Sequence, residues 1–514
     1  MGWIKKSVIG TAATLGVGYL ALAYVTRDVE QPVVHLAAAG KLMLTGVTIV
    51  DPRNGAETAH ASVLMDKGRI LAIGHGDLAP GDTSVQRVAA DGKFLVPGYN
   101  DMHAHPLNAE DPSGDLALML ANGITGFRQM SASDRLLRER RESRLPIGLE
   151  APALLIAPGA LLTPLNASKP EQAQETMRDE KRAGADFIKA AFVSGPALFA
   201  AIDEGKRIGI PVVGHVPAGV DVVEAAERGM HAIEHLGPAN GLLIACSSDG
   251  ERILADVRVH TKFPTMPAFK SHIVEKLAGW ALEKRIINPA AADREAGDVV
   301  PMRRALATFD EARCRTAIDR INAAGTWQVP TLIRLKTIYT ADDPTFASNP
   351  NLRYVVPAKL AKWREVTAQF VKEYPAADRQ TMRQGYAFSL RLVKLLDEQG
   401  AKMLAGSDAS GSGWEVPGFA LHQEFDELGL AGLAPLRILQ MTTSDAADFL
   451  GRAASMGHIG VGTNADMVLL DRDPTKDVTA LHAIAGVVRA GYYYDAAKLA
   501  QLKARVDAGQ GYLK

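Results

Sequence analysis

Between about residues 98 and 458 short apolar runs alternate with longer stretches of helical period. The runs are FLVPGYNDMHAH, GITGFRQM, APALLIAPG, ADFIKAAF, IPVVGHVP, HAIEHL, GTWQVPTLI and AKMLAGSDA. Segments such as SGDLALMLAN, QAQETMRDEKRAG and GVDVVEAAERG fill the gaps with apolar residues at helical spacing. Repeated strand–helix units predict an α/β fold with a parallel sheet, closed as a (β/α)8 TIM-type barrel. A doubly wound open sheet is the alternative, but no GxGxxG follows a first strand. Two gaps exceed any ordinary connection. They predict helical insertions at about 240–324 and 336–399, on loops that in barrels cover the active site.

The flanks read differently. Residues 40–97 hold KLMLTGVTIVD, ASVLMDKGRILAIG and VQRVAADGKFLVPG, strand-like runs punctuated by Gly and Asp. HIGVGTNADMVLLDRDP and IAGVVRAGYYYD, within 459–514, look alike. Both ends are therefore expected to build one small β-sandwich domain around the barrel. At the N-terminus, Lys5 and Lys6 precede the charge-free residues 7–25. That length suits a membrane anchor, and Ala21-Leu22-Ala23 suits a signal-peptide cleavage site. Residues 1–25 are expected to be one or the other, and 26–39 a linker. Under the positive-inside rule all that follows is exported, to the periplasm or another extracytoplasmic space. The membrane is then a partner only if the segment is uncleaved.

Composition narrows the function classes. The 514 residues carry a formal net charge of −1 and no strongly basic run, which argues against nucleic acid. A small molecule is the expected partner, and self-association is left open. Cys246 and Cys314 rule out a disulfide-rich scaffold; two unpaired core cysteines are the expectation, with a single disulfide between them the alternative.

The chemistry lies at the ends of the runs. In a strand His103 and His105 share a face, so both imidazoles can reach one point. Lys189, His215, His235 and Asp408 close the fourth, fifth, sixth and eighth runs. Five of eight runs thus offer a metal-capable group at the end where barrels place active sites. Taken singly, His215 reads as a hydrogen-bonded core histidine and Asp408 as a helix N-cap. Glu234 and His235 are neighbours, so alternation puts only one inside. An ammonium at Lys189 is costly in a barrel; it either snorkels outward or is carboxylated to a metal-bridging carbamate. Asp101, one step deeper than His103, and His231, before the sixth run, are candidates for orienting ligands, with His422 a weaker one.

These motifs resemble the amidohydrolase superfamily, metal-dependent hydrolases on a (β/α)8 barrel. PGYNDMHAH resembles its first-strand signature, IEHL and AGSDA those of its sixth and eighth strands. GHIGVGTNADMVLLDRDP resembles its return to the small β domain. DFIKAAFVSG with GHVPAG is similar to the prolidase and imidazolonepropionase-like branch. The resemblance covers about residues 40–495. It implies two divalent ions, usually zinc, held by His103, His105 and Asp408 on one side and His215 and His235 on the other. Carboxylated Lys189 (N6-carboxylysine) would bridge them. The implied reaction is amide hydrolysis of an acyl amino acid, dipeptide or related small molecule by a metal-bridging hydroxide, with Asp408 moving the proton. The alternative is a lactonase, esterase or phosphotriesterase on the same site. LLTPLNAS stands where branch members often carry a Gly-Gly-His turn, and the insertion after the sixth run is long for a dipeptidase.

Overall fold

The computed structural model describes residues 32–268, 272–292 and 299–507. The charge-free stretch at 7–25 lies outside them. Among the described residues no helix is long and apolar enough to cross a membrane.

Strands β1 (Leu42–Val50), β2 (Glu57–Asp66), β3 (Arg69–Gly74), β4 (Gln86–Ala89) and β5 (Phe94–Pro97) come from the N-terminal part of the chain. Next come β6 (Tyr99–Ala104), β7 (Ile124–Gln129) and β8 (Ala153–Ile156), which pair in parallel. β9 (Ile188–Ala190), β10 (Val212–Gly214), β11 (Ala232–Glu234) and β12 (Trp327–Val329) form a second parallel sheet. β13 (Met467–Leu470), β14 (Ile484–Arg489) and β15 (Tyr492–Asp495) follow near the C-terminus.

Helices such as Pro170–Ala183 and Gly195–Ile208 stand between the parallel strands and end on Gly184 and Gly209, both left-handed. Parallel bridges Pro158–Phe187 and Leu162–Ala190 join the run of β8 to that of β9. The eighth run forms no regular strand, yet it pairs on both sides. Leu404 N donates to Gln328 O on β12, and Met102 N on β6 donates to Ala405 O. Phe187 and Val213 lie two residues before Lys189 and His215, on the same strand face. They join Met102, Ala232, Trp327 and Leu404 in a buried apolar cluster.

Strands from both ends of the chain share one mixed sheet, ordered β15-β14-β13-β5-β1-β2-β3 with β4 on β1. β13 adds antiparallel to β5, so the two groups extend a single sheet, and residues of β1, β2, β3, β13 and β14 share one buried apolar cluster, as expected of one small β domain. The glycine between the two parallel partners of β1, Gly46 (φ +77), matters here. Its left-handed backbone favours glycine, and a Cβ there would lie 2.3 Å from an Asp91 carboxylate oxygen, which would have to move aside.

The segment between β11 and β12 is helical: Gly241–Ala245, Gly250–His260, His272–Ile287, Pro289–Ala292, Val299–Ala307 and Glu311–Ala323. A second helical segment after β12 contains Leu332–Tyr339, Pro357–Glu373 and Ala376–Glu398. The two pack on each other through Ile287, Ala290, Trp363, Phe370 and Met382, and on Trp414 and Val416 beyond Asp408. Cys246 and Cys314 form a disulfide across 68 residues, correcting the expectation of unpaired thiols. Asp310 N donates to Cys246 O, so the Glu311–Ala323 helix starts beside Cys246 and brings Cys314 against it.

Candidate metal centre

The ends of β6, β9 and β11 and the eighth run converge on a buried cluster. His103 is fully buried on β6, its Nδ1 2.7 Å from Glu234 Oε2. Its Nε2 lies 3.0 Å from Asp408 Oδ1 and 3.0 Å from Lys189 Nζ. His105 Nε2 lies 3.1 Å from the same Asp408 oxygen, and its Nδ1 2.9 Å from Ser131 Oγ. His235 Nδ1 meets Thr331 Oγ1, and its Nε2 lies 4.0 Å from Asp408 Oδ2. His215 Nδ1 faces Ala191 O at 3.0 Å, and its Nε2 is buried with no hydrogen-bond partner. Its ring lies 5.1 Å from that of His235.

Every one of these four histidines has Nδ1 occupied by a protein group, which fixes the ring and turns Nε2 to the centre. Ligand atoms of His103, His235 and Asp408 lie within 4.8 Å of one another. Burial lowers His105 to about 4 and His215 to about 3, and takes His235 well below the usual histidine range. Imidazoles so held are neutral, the form a metal requires. Burial by itself would raise Asp408. The charge and hydrogen bond of His103, with the hydrogen bond of His105 adding, outweigh it and hold the carboxyl well below its ordinary value. Three imidazoles and one carboxylate, plus the orphaned His215 Nε2, are a donor set that fits divalent transition metals.

Lys189 is 4% exposed, and burial lowers its pKa, so the amine is driven toward its neutral, nucleophilic form. The outward, snorkelling alternative for this lysine is not what the structure adopts.

Other sequence candidates fall in different places. Asp101 is buried, and its carboxylate accepts from His103 N, Ser407 N and, at 2.6 Å, Ser407 Oγ. It ties the first run to the eighth. His231 precedes β11 and sets its ring 5.0 Å from Phe449, outside the cluster. That corrects its candidacy as an orienting partner: the three residues of β11 separate it from His235, so the two histidines lie at opposite ends of the strand. His422 Nε2 donates to Asn122 O, also away from the cluster. Asp408 caps no helix; it sits at φ +62 with its side chain in the cluster.

Glu234 corrects the alternation argument. It is fully buried, bonded to His103, and its other oxygen accepts from Arg128 Nη2 at 2.8 Å. β11 ends at Glu234, and His235 and Leu236 both take φ +56. A left-handed bend breaks the period of two, so both neighbours turn inward. Two further residues escaped the sequence reading. Arg334, 6% exposed, pairs through Nε with Asp408 Oδ2 at 3.2 Å. Glu415, fully buried, accepts from Thr337 Oγ1 at 3.0 Å. Neither sits at a strand end, so strand periodicity carried no signal for them.

The family model described as the amidohydrolase family matches residues 388–493, a stretch that includes Asp408 and β13 to β14. A comparison with curated protein sequences found no match. Among solved structures, a bottromycin amidohydrolase shares 21% identity, covering 96% of this chain and 93% of its own, with a TM-score of 0.65. A putative prolidase from Bifidobacterium longum shares 18%, covering 91% of this chain and 100% of its own, TM-score 0.57. A Xaa-Pro dipeptidase with bound methionine shares 16%, covering 88% and 100%, TM-score 0.57. These identities establish likeness of fold. The chain is thus similar to the amidohydrolase family over residues 388–493 and shares the fold of amidohydrolase and prolidase structures over most of its length, with a histidine–aspartate cluster at the strand ends.

Proposed function

We propose that the chain is a binuclear-metal hydrolase on a closed (β/α)8 barrel, cleaving an amide-type C–N bond in a small molecule. The observation that carries this reading is the shared orientation of the four histidines, each Nδ1 engaged elsewhere and each Nε2 left to a common centre. His103, His105 and Asp408 would hold one ion, and His215 and His235 the other. Lys189, carboxylated on Nζ, would bridge them. Its burial and lowered pKa support that step, because only a neutral amine attacks CO2.

Divalent ions so held, with zinc the first choice for this donor set, supply an activated water and a Lewis acid for the scissile carbonyl. The chain's own residues do the rest. Asp408 accepts the proton released on attack and returns it to the leaving nitrogen. Glu234 accepts a hydrogen bond from His103 Nδ1–H, fixing the tautomer whose Nε2 lone pair faces inward. Thr331 and Ser131 hold His235 and His105 in the same sense. The first insertion reaches the site through Arg334, which links Asp408 to Ile286 and Ile287.

The Cys246–Cys314 disulfide supports an exported, oxidising location for the described residues, consistent with a leader at 1–25. Paired amide and lactone versions of one scaffold, tested on protein lacking the first thirty or so residues, decide the bond. Turnover of the amide supports the proposal; turnover of the lactone alone transfers the site to the ester-type reading.

A further inference from the structure

Among the described residues, Arg334 is a charged group touching Asp408 that metal ligation does not explain. It lies on helix Leu332–Tyr339, three residues beyond Thr331, the partner of His235. Its guanidinium is engaged in three directions. Nε faces Asp408 Oδ2 at 3.2 Å, Nη1 donates to Ile287 O at 2.9 Å, and Nη2 donates to Ile286 O at 2.6 Å. Ile286 and Ile287 are the last two residues of helix His272–Ile287, in the first insertion. Carbonyls at a helix C-terminus lack partners within the helix and carry the negative end of its dipole, so a cation is matched there.

The same helix end also meets the chain just beyond Asp408. Gly413 N donates to Ile287 O at 3.2 Å. A Cβ on Gly411 or Gly413 would come 2.9 Å from Ile286 Cγ2 or Ile287 Cγ2, so both glycines permit this contact. A planar guanidinium has fixed donor directions, so anchoring Nη1 and Nη2 fixes where Nε points. Asp408 then has Oδ1 toward His103 and His105, while Oδ2 is held by Arg334 and, at 3.3 Å, by Ser412 Oγ.

We propose that Arg334 is a positioning residue that makes the orientation of the Asp408 carboxylate depend on the docking of the first insertion. This rests on the reading of Asp408 as proton acceptor. Without Arg334 the carboxylate regains its broad terminal torsion, and a displacement of about 1 Å in a reacting group costs on the order of 100-fold in rate. Lysine is a point donor and cannot hold one carboxylate and two carbonyls together. Coupling is reciprocal, so neutralising Asp408 loosens the helix end as well.

The test uses the metal-loaded and the metal-free protein. Arg334→Met is expected to lower kcat about 100-fold, keep KM within about threefold and keep the wild-type metal content. Free guanidinium at sub-denaturing concentration is expected to restore part of the loss, and Arg334→Lys to fall between Met and wild type. In the metal-free protein, hydrogen exchange of amides around 286–292 is expected to rise in both Arg334→Met and Asp408→Asn. A kcat within about threefold of wild type overturns the proposal. So does a loss that guanidinium leaves untouched while metal is retained, or unchanged exchange in Asp408→Asn. If Arg334→Met does not fold, Arg334→Lys is judged by the same kcat, KM and metal criteria. Failure of the hydrolase reading shows instead as a wild-type protein that hydrolyses nothing, and the exchange arm still decides the coupling.

Discussion

Replacing Glu234 by Gln removes one charge from a fully buried triad and changes almost no volume. The carboxylate stands 2.7 Å from His103 Nδ1 and 2.8 Å from Arg128 Nη2, and all three side chains have no exposure. Breaking a buried ion pair from one side costs about 3 to 5 kcal/mol, because the remaining ion stays desolvated. The lower end applies here. Gln still offers an oxygen to one donor, and the Arg128 guanidinium keeps the rings of Phe449 and Phe187 at 5.1 and 5.7 Å. His103 meanwhile loses the carboxylate that orients its ring, worth roughly 10- to 100-fold in metal affinity. Thermal unfolding of metal-free protein reads the first effect, and chelator competition reads the second. The double variant Glu234→Gln with Arg128→Met separates them: it should recover part of the stability, since no bare cation remains, but none of the metal affinity. The reasoning is refuted if Glu234→Gln keeps metal affinity within about twofold of wild type. It is equally refuted if the Arg128→Met cost simply adds to it.

Two further outcomes follow from buried groups elsewhere. Cys314→Ser opens a loop of 68 residues, and chain entropy alone sets the loss at about 4 kcal/mol, read as a lower unfolding midpoint that reductant reproduces in wild type. Burial raises Glu415 to about 8, with the Arg334 charge opposing and the Asp408 charge adding. A carboxyl raised in the folded state binds its proton more tightly there, so its contribution to stability falls as pH rises from about 4.5 toward 8. Glu415→Gln should therefore stabilise the metal-free protein at pH 8 relative to wild type and change little at pH 5; equal effects at both would remove the buried-proton account.

The strand ends were legible because two simple rules coincided there. A period of two put His103 and His105 on one face, and residue type marked Lys189, His215 and Asp408 at the ends of apolar runs. Glu234 was misread because alternation assumes that the strand continues, and the left-handed backbone at His235 ends it. Arg334 and Glu415 were invisible for a related reason. They reach Asp408 and its surroundings from a helix and a loop, so their proximity exists only once the insertions are packed. The Cys246–Cys314 pairing depends on where the Glu311–Ala323 helix starts, a tertiary fact with no local signature. The β-sheet built from both chain ends was readable as strand-like runs, but its single-sheet topology depends on β13 choosing β5 as neighbour.

The most direct test of the metal centre is elemental analysis of the purified protein together with its intact mass. The account predicts about two divalent ions per chain and the added mass of CO2 on Lys189, both lost in Lys189→Ala. Protein that is active without metal, or a Lys189→Ala variant that keeps full metal content and full activity, would contradict it.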